Sequence, residues 1–356
     1  MQAEDLGCTQ FGTPFPRPRT PAAENSTIPV IITTIVSAYL PVHYYLYTSL
    51  VVFSVFANFT ILLVLTRKEM RSVGVNVTMM LIAVCDFSCS ISAAIQQFLR
   101  TTDMYVSYFS AYARITVDYL SVAFHAYSLY LAVAMAFCRA MSLSLSNVNR
   151  DDWQSPKYAL RIGLSLCPPI FAISSFALLV NTVTESEERG VYTDVSALTL
   201  MNHCLFLKLT LFISGFCFKV LPCAMMLFFS LFLISKIGEG QKRSVSLMSS
   251  QQNKNNQIER STRFIQFILI VFLLTEIPQG VFSIIGGLFV IDYINYYQTL
   301  ASIMNVLGIF NTTTSFIIYS TLSSKFRRLF VQIFMPNAVI ERMSKVLTLD
   351  YNLFWK

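Results

Sequence analysis

The chain has 356 residues, of which 54% are hydrophobic and only 13% charged, and its mean hydropathy is +0.57. Soluble domains carry about 25% charged residues, so this composition excludes a soluble globular protein. The net charge of +7 is accounted for by basic loops flanking membrane spans and implies no nucleic-acid partner.

Residues 1–27 hold Pro14, Pro16, Pro18 and Pro21 among few aliphatics, the composition of an extended tail. Asn25-Ser26-Thr27 in that tail is an acceptor pattern for glycosylation at Asn25. Seven apolar stretches follow, near 43–66, 76–99, 108–141, 158–181, 205–236, 261–290 and 297–321. Each reaches the roughly 20 residues that a helix needs to cross the hydrocarbon core. Lipid offers no hydrogen-bond partner, so segments this long satisfy their backbones only as helices. The alternating segments of about ten residues that build a membrane β-barrel are absent. The expected fold is all-α, a seven-transmembrane helix bundle with a short amphipathic inner-leaflet helix. The expected boundaries are an N-terminal tail and juxtamembrane segment at 1–42, the bundle at 43–322, and the amphipathic helix and tail at 323–356. Glu4 and Asp5 stand where a secretory leader would be basic, and the first stretch is expected to direct insertion.

Lys and Arg are retained on the cytoplasmic side of a bilayer. The first gap holds Arg67, Lys68 and Arg71, the third Arg150 and Lys157, and the fifth Lys236, Lys242, Arg243, Lys254, Arg260 and Arg263. The tail adds Lys325, Arg327, Arg328, Arg342, Lys345 and Lys356, whereas the N-terminal tail and the even gaps supply Arg17, Arg19, Arg100 and Arg189. Glu185, Glu187, Glu188 and Asp194 make the fourth gap acidic. This asymmetry predicts a multi-pass protein of the plasma membrane with its N-terminus outside and its C-terminus inside. Basic loops at a bilayer also attract anionic lipid.

Polar side chains inside spans are costly, so they mark either interhelical bonding or a functional path. Asn58 falls midway along the first stretch, Asp86 midway along the second, and Asn305, Asn311 and Ser315 on the seventh. A polar knot joining stretches one, two and seven is the simplest reading. Arg139 closes the third stretch in Phe137-Cys138-Arg139-Ala140, Pro222 and Pro278 interrupt the fifth and sixth, and Tyr319 lies late in the seventh.

That set, in that order, resembles the rhodopsin-like G-protein-coupled receptors over about residues 43–334. The resemblance implies a water and sodium network at Asn58 and Asp86, extended here to Asn311 and Ser315, with a sodium ion near Asp86 and no other cofactor. It implies G-protein engagement at Arg139, with Tyr319 and the bend at Pro278 taking part in activation. Ser324-Lys325-Phe326-Arg327-Arg328-Leu329-Phe330 is similar to the family's inner-leaflet helix. Departures are Cys138 in place of an acid, Glu276 in place of the aromatic switch residue, Ser315-Phe316 in place of an Asn-Pro pair, and Arg114 where the third helix normally has a cysteine. Phe-Leu-Leu-Thr-Glu-Ile-Pro-Gln-Gly at 272–280, Phe-Lys-Val-Leu-Pro-Cys at 218–223, Leu-Thr-Arg-Lys-Glu-Met-Arg-Ser at 65–72 and the run 311–319 resemble the invertebrate myosuppressin and FMRFamide-type receptors. They resemble equally the nematode serpentine receptors of class W. The implied agonist is a short amidated peptide and the implied effector a heterotrimeric G protein.

A ligand site is expected where polar residues meet in the outer halves of the helices. Candidates are Gln96, Gln97, Arg114, Asp118, Tyr119, Ser121, His125, Lys208, Gln279, Tyr293 and Tyr297. An Arg-Phe amide brings a cation and a ring, which makes Asp118 the preferred counter-ion, although Arg114 four residues earlier competes for it. Deeper, Lys219 and Glu276 are expected to meet, because two isolated charges in low dielectric are unfavourable. They form either a static pair or one that remodels on activation. His125 stands alone, against a metal site.

Of eight cysteines, Cys85, Cys89, Cys138, Cys167, Cys217 and Cys223 fall within spans, and only Cys8 and Cys204 face the oxidising side. A bridge between those two is open, because sequence gives no distance. Ser244, Ser246, Ser249 and Ser250 beside Lys242 and Arg243 are candidate phosphorylation sites. A transporter or channel would show internal repeats or broken helices, and an enzyme a nucleophile, phosphate or metal motif; none is visible. Within the receptor class, the alternative is a chemosensory receptor for an environmental small molecule.

Overall fold

The computed structural model describes residues 27–101, 107–144, 150–187, 190–244, 252–290, 293 and 298–335. Its helices are α1 (Thr27–Leu65), α2 (Gly74–Thr101), α3 (Tyr108–Ser144), the single turn α4 (Arg150–Trp153), α5 (Pro156–Ser174), α6 (Ala197–Gly215), α7 (Leu221–Ser244), α8 (Gln252–Leu288), α9 (Gln298–Leu322) and α10 (Ser324–Phe334). A short hairpin, β1 (Asn181–Ser186) and β2 (Gly190–Val195), joins α5 to α6. Seven spans among them are long and apolar enough to cross a membrane, and α6 and α7 form one of these, Ala197–Lys236. The protein is therefore a multi-pass membrane protein with a seven-transmembrane helix bundle. At 39 residues α1 is about 58 Å long, well beyond the roughly 30 Å hydrocarbon core. It starts at Thr27, ahead of the apolar stretch that begins near 43.

Local chemistry sets the element ends. Ser155 caps α5 by accepting from Tyr158 N, with Pro156 in the first turn where its missing N–H is harmless. Ser323 caps α10 in the same way through Phe326 N. The hairpin is antiparallel, pairing Asn181 with Val195 through to Ser186 with Gly190. Ser196 closes its base by donating to Leu179 O at 2.6 Å, and Tyr108 Oη fastens it to α3 by donating to Glu185 at 2.7 Å. This hairpin marks one end of the bundle.

The opposite, basic end is held by the turn at 66–73, α4 and α10. Gly74 N donates to Gln154 O at 2.9 Å, and a Cβ at Gly74 would lie 2.6 Å from that oxygen, so only glycine permits the approach. Trp153 stacks edge-on against Phe137 and Tyr158. Between the two ends runs the main apolar core, with Ile61, Met79, Leu129, Leu131, Met135, Met226 and Leu233 nearly or wholly inaccessible. Many large apolar side chains, among them Phe56, Leu164, Phe228 and Leu274, are exposed on the bundle's outside. That pattern suits a lipid solvent rather than water.

Candidate functional site

The deep site is organised by one helical irregularity. After α6 the chain makes a π-helical turn over Phe216–Val220, in which one extra residue is accommodated and the side chains are re-aimed. Tyr130 from α3 donates to Cys217 O in this turn at 2.7 Å, satisfying a carbonyl on the widened segment. The turn carries Lys219. Here α6 approaches α8 through two glycines: a Cβ on Gly215 would lie 2.7 Å from Gly280 O, and one on Gly280 would lie 3.0 Å from Lys219 Cβ. The close approach lets Lys219 reach across.

Lys219 Nζ donates to Glu276 Oε2 at 2.7 Å and to Gln279 Oε1 at 3.0 Å. His125 Nε2 donates to the same Oε2 at 3.0 Å, and Asn311 Nδ2 donates to Oε1 at 2.9 Å. A single carboxylate, 0% exposed, thus ties α3, the π turn, α8 and α9 together. The side chains of His125 and Lys219 remain 18% and 14% exposed, so both partners are partly accessible where the carboxylate is not. Pro278, two residues on, has no N–H for Leu274 O and places a weak point in α8 beside this hub.

Toward the hairpin end, Gln96 Nε2 donates to Asp118 Oδ1 in a short contact, joining α2 to α3. Asp118 and His125 are about two turns apart on α3, roughly 10 Å. The site therefore has an outer acidic tier and a deep tier rich in donors. Ser121 gives its carbonyl to Cys89 Sγ. Two other candidates point elsewhere: Gln97 donates to Thr48 on α1, and Tyr119 donates to Phe171 O on α5 at 3.4 Å. Tyr293 lies against Gly286.

The expected knot of the first, second and last spans forms with a different cast. Asn58 Nδ2 donates to Ser54 O at 3.1 Å and Thr312 O at 3.0 Å, while Ser54 Oγ lies 2.6 Å from Ser90 Oγ and 2.8 Å from Thr312 Oγ1. Asp86 turns to α3 and accepts from Ser128 at 2.8 Å. Asn305 is exposed and takes no part. Asp86, Ser128, Asn311 and Ser315 line one small cavity, and Asn311 Oδ1 is buried with no hydrogen-bond partner among the described residues. One carboxylate with hydroxyl and amide oxygens is a donor set that suits a small hard cation of single charge, so these residues fit a sodium ion.

At the basic end Arg139, Cys138, Trp153 and Gln154 line a cleft between α2, α3 and α4. Tyr319 is buried and donates to Asn76 Oδ1 at 3.2 Å, linking α9 to α2. Cys204 is disulfide-bonded, with a partner outside the described residues, and the six cysteines within the spans are free thiols. Asn25, Tyr297, Cys8 and the loop serines 246, 249 and 250 also lie outside the described residues.

The family model described as "Serpentine type 7TM GPCR chemoreceptor Srw" matches residues 43–337. The chain belongs to this family. It is accordingly a G-protein-coupled receptor, a receptor class rather than an enzyme class, whose members act through a ligand and a G protein. It is similar to the G-protein coupled receptor dmsr-1 of Caenorhabditis elegans, 26% identical over 364 residues that cover 87% of this chain and 71% of that one. It is also similar to the Sex peptide receptor of Drosophila melanogaster, 25% identical over 334 residues that cover 86% of this chain and 75% of the relative.

The receptor's site includes residues that sequence reasoning passed over. Ser54, Ser90, Ser128 and Thr312 carry much of the bonding around Asn58 and Asp86. Their signal was the spacing of Ser54 to Asn58 and Asp86 to Ser90, each four apart and so on one helix face.

Proposed function

We propose that the receptor binds a short amidated peptide of the FMRFamide-like type at its hairpin end and activates a heterotrimeric G protein at its basic end. The two-tier site carries this reading. Asp118 is the counter-ion for the peptide's Arg, and the deep tier meets its C-terminus. Of the three Nζ protons of Lys219, Glu276 and Gln279 take two, which leaves one for a ligand acceptor. The name of one relative, the Sex peptide receptor, supports a peptide. A chemosensory small molecule is the second reading, favoured by the family's description as chemoreceptors.

The distribution of Lys and Arg supports a plasma-membrane receptor with its hairpin end and N-terminus outside, Asn25 bearing glycan, and its C-terminus inside. Arg139 is the G-protein contact, and sodium near Asp86 steadies the resting state. Agonist binding drives activation only through its preference for the active arrangement. The contact between Lys219 and Glu276, beside the bend at Pro278, is the element that remodels. If Glu276→Gln and Lys219→Met both leave basal and agonist-driven signalling unchanged, that switch is lost.

The test is calcium and cyclic-AMP signalling in cells expressing the receptor, challenged with a panel of amidated Arg-Phe peptides. A saturable response abolished by Arg139→Ala is expected. Silence of a surface-expressed receptor toward the whole panel overturns the peptide reading in favour of the chemosensory one.

A further inference from the structure

The first turns of α6 depart from the helix in which they lie. Met201 is extended, and Asn202, His203 and Cys204 follow with φ of 50°, 57° and 64°, three consecutive left-handed residues with no glycine among them. L side chains avoid that region, and it persists only where the surroundings fix it. Asn202 and His203 are exposed on this turn, whereas Cys204 is 0% exposed and packs with Val290, Leu200 and Leu207.

Cys204 is disulfide-bonded. The chain has eight cysteines, and Cys85, Cys89, Cys138, Cys167, Cys217 and Cys223 are free thiols. The cysteine that remains for Cys204 is Cys8 in the N-terminal tail. The chain is long enough for this bond. α1 packs on α2 and α9, whereas α6 packs on α8 and the π turn, and α8 and α9 are neighbours. From α1 to α6 is thus at most three helix spacings, about 30 Å. The rise of α1 above the hydrocarbon core adds up to about 30 Å in the perpendicular direction. Together these put the two ends within roughly 40 Å of each other. Residues 9–26, with their four prolines, span about 60 Å when drawn out at the polyproline rise.

We propose that Cys8 and Cys204 are bridged, that the bridge fixes the left-handed turn of α6, and that the N-terminal tail, held by α1 at one end and α6 at the other, crosses the hairpin-end opening above the two-tier site. Forming the bond removes two protons and two electrons from the two thiols. The electrons pass to the disulfide of an oxidoreductase in the secretory compartment, which becomes a dithiol. The proposal uses the orientation proposed above, which puts the hairpin end outside; it does not depend on the agonist.

The experiment uses the full-length receptor on intact cells, with an epitope ahead of Met1 and a protease site inserted between Pro21 and Ala22. After cutting, non-reducing electrophoresis should keep the epitope on the receptor band, and reductant should release it. Cys8→Ser should release it without reductant, as should Cys204→Ser; the first lies in the tail and serves where the second fails to reach the surface. Release from the wild-type chain without reductant overturns the bridge, and so does retention in Cys8→Ser. A band of twice the receptor's mass that collapses on reduction and in Cys8→Ser makes the bond one between two copies, which also overturns it. A site cut only after permeabilisation overturns the orientation, and the bridge with it, because the cytosol keeps thiols reduced. In the purified receptor, Cys8→Ser should lower the melting temperature by several degrees, as much as Cys204→Ser, with no further loss in the double variant. Wild-type melting of Cys8→Ser overturns the role at the turn. Pro16→benzoylphenylalanine, a photocrosslinker midway along the tail, should capture the hairpin or the outer ends of α8 and α9, and capture of α1 alone overturns the crossing.

Discussion

Around Asn58 every partner is a hydroxyl or a backbone carbonyl, whereas around Glu276 two of the four side chains that reach the carboxylate are cationic or able to become so. Both clusters join several helices, and both are buried. The first is a mesh of short bonds in which each group has an alternative partner on its own helix; Thr312 Oγ1, for example, also donates to Ile309 O. The second converges on one carboxylate whose charge is met by Lys219 and, when protonated, by His125. A mesh loses stability in small steps. A hub loses it at once, because removing a cation leaves a charge in low dielectric, and that is the property a two-state switch requires.

The largest effect that would break this comparison is at the hub. Lys219→Met alone should cost about 3–5 kcal/mol of stability, the range for uncovering one member of a buried pair. Combined with Glu276→Gln, most of that loss should return, because no uncompensated charge remains. Thermal unfolding of the detergent-solubilised receptor measures both. A double variant no more stable than Lys219→Met would show that packing around the Lys219 stem, rather than charge, dominates. The next effect concerns how the hub is assembled. Gly280→Ala places a methyl 2.9 Å from Val220 Cγ2 and 3.0 Å from Lys219 Cβ, so α8 must move away from the π turn. A cost of about 1–3 kcal/mol is expected, together with a smaller coupling between Lys219 and Glu276 in a double-mutant cycle. Unchanged coupling would mean that the long Lys219 side chain bridges the gap whatever the helix spacing.

The membrane class and the seven spans were legible in the sequence because lipid imposes a length and a composition that no other solvent demands. The meeting of Lys219 with Glu276 was legible for a related reason, since two isolated charges at membrane depth need each other. His125 was not assigned to them. Its partner lies 151 residues away on another helix, and nothing on α3 itself signals that contact. Asn311 is shared between the two clusters, lining a cavity with Asp86 while bonding elsewhere. Its place on the last span pointed to Asn58 and Asp86, yet its amide turns to Glu276, because a buried carboxylate is a stronger acceptor than another amide. The serines and threonines of the mesh are such ordinary helix residues that only the three-dimensional neighbourhood distinguishes them. The π turn has no sequence signature of its own, and without it the direction of Lys219 is open.

The smallest effect sharpens the other side of the comparison. Asn58→Ala removes the bonds to Ser54 and Thr312, and hydrogen bonds between membrane helices are worth about 0.6 kcal/mol each. A loss of about 1–2 kcal/mol is expected by thermal unfolding. Ser90→Ala should cost less than 1 kcal/mol, because Ser54 keeps Thr312 as its partner. In a mesh the two losses should couple by no more than about 0.5 kcal/mol, the low end for groups that share a partner. Strong coupling would make Ser54 a hub for neutral groups as Glu276 is for charged ones, since Ser54 is the atom that Asn58 and Ser90 share. Additivity here beside non-additivity at Lys219 and Glu276 would locate the bistable element of the receptor at the charged cluster and leave the hydroxyl mesh as the frame against which it moves.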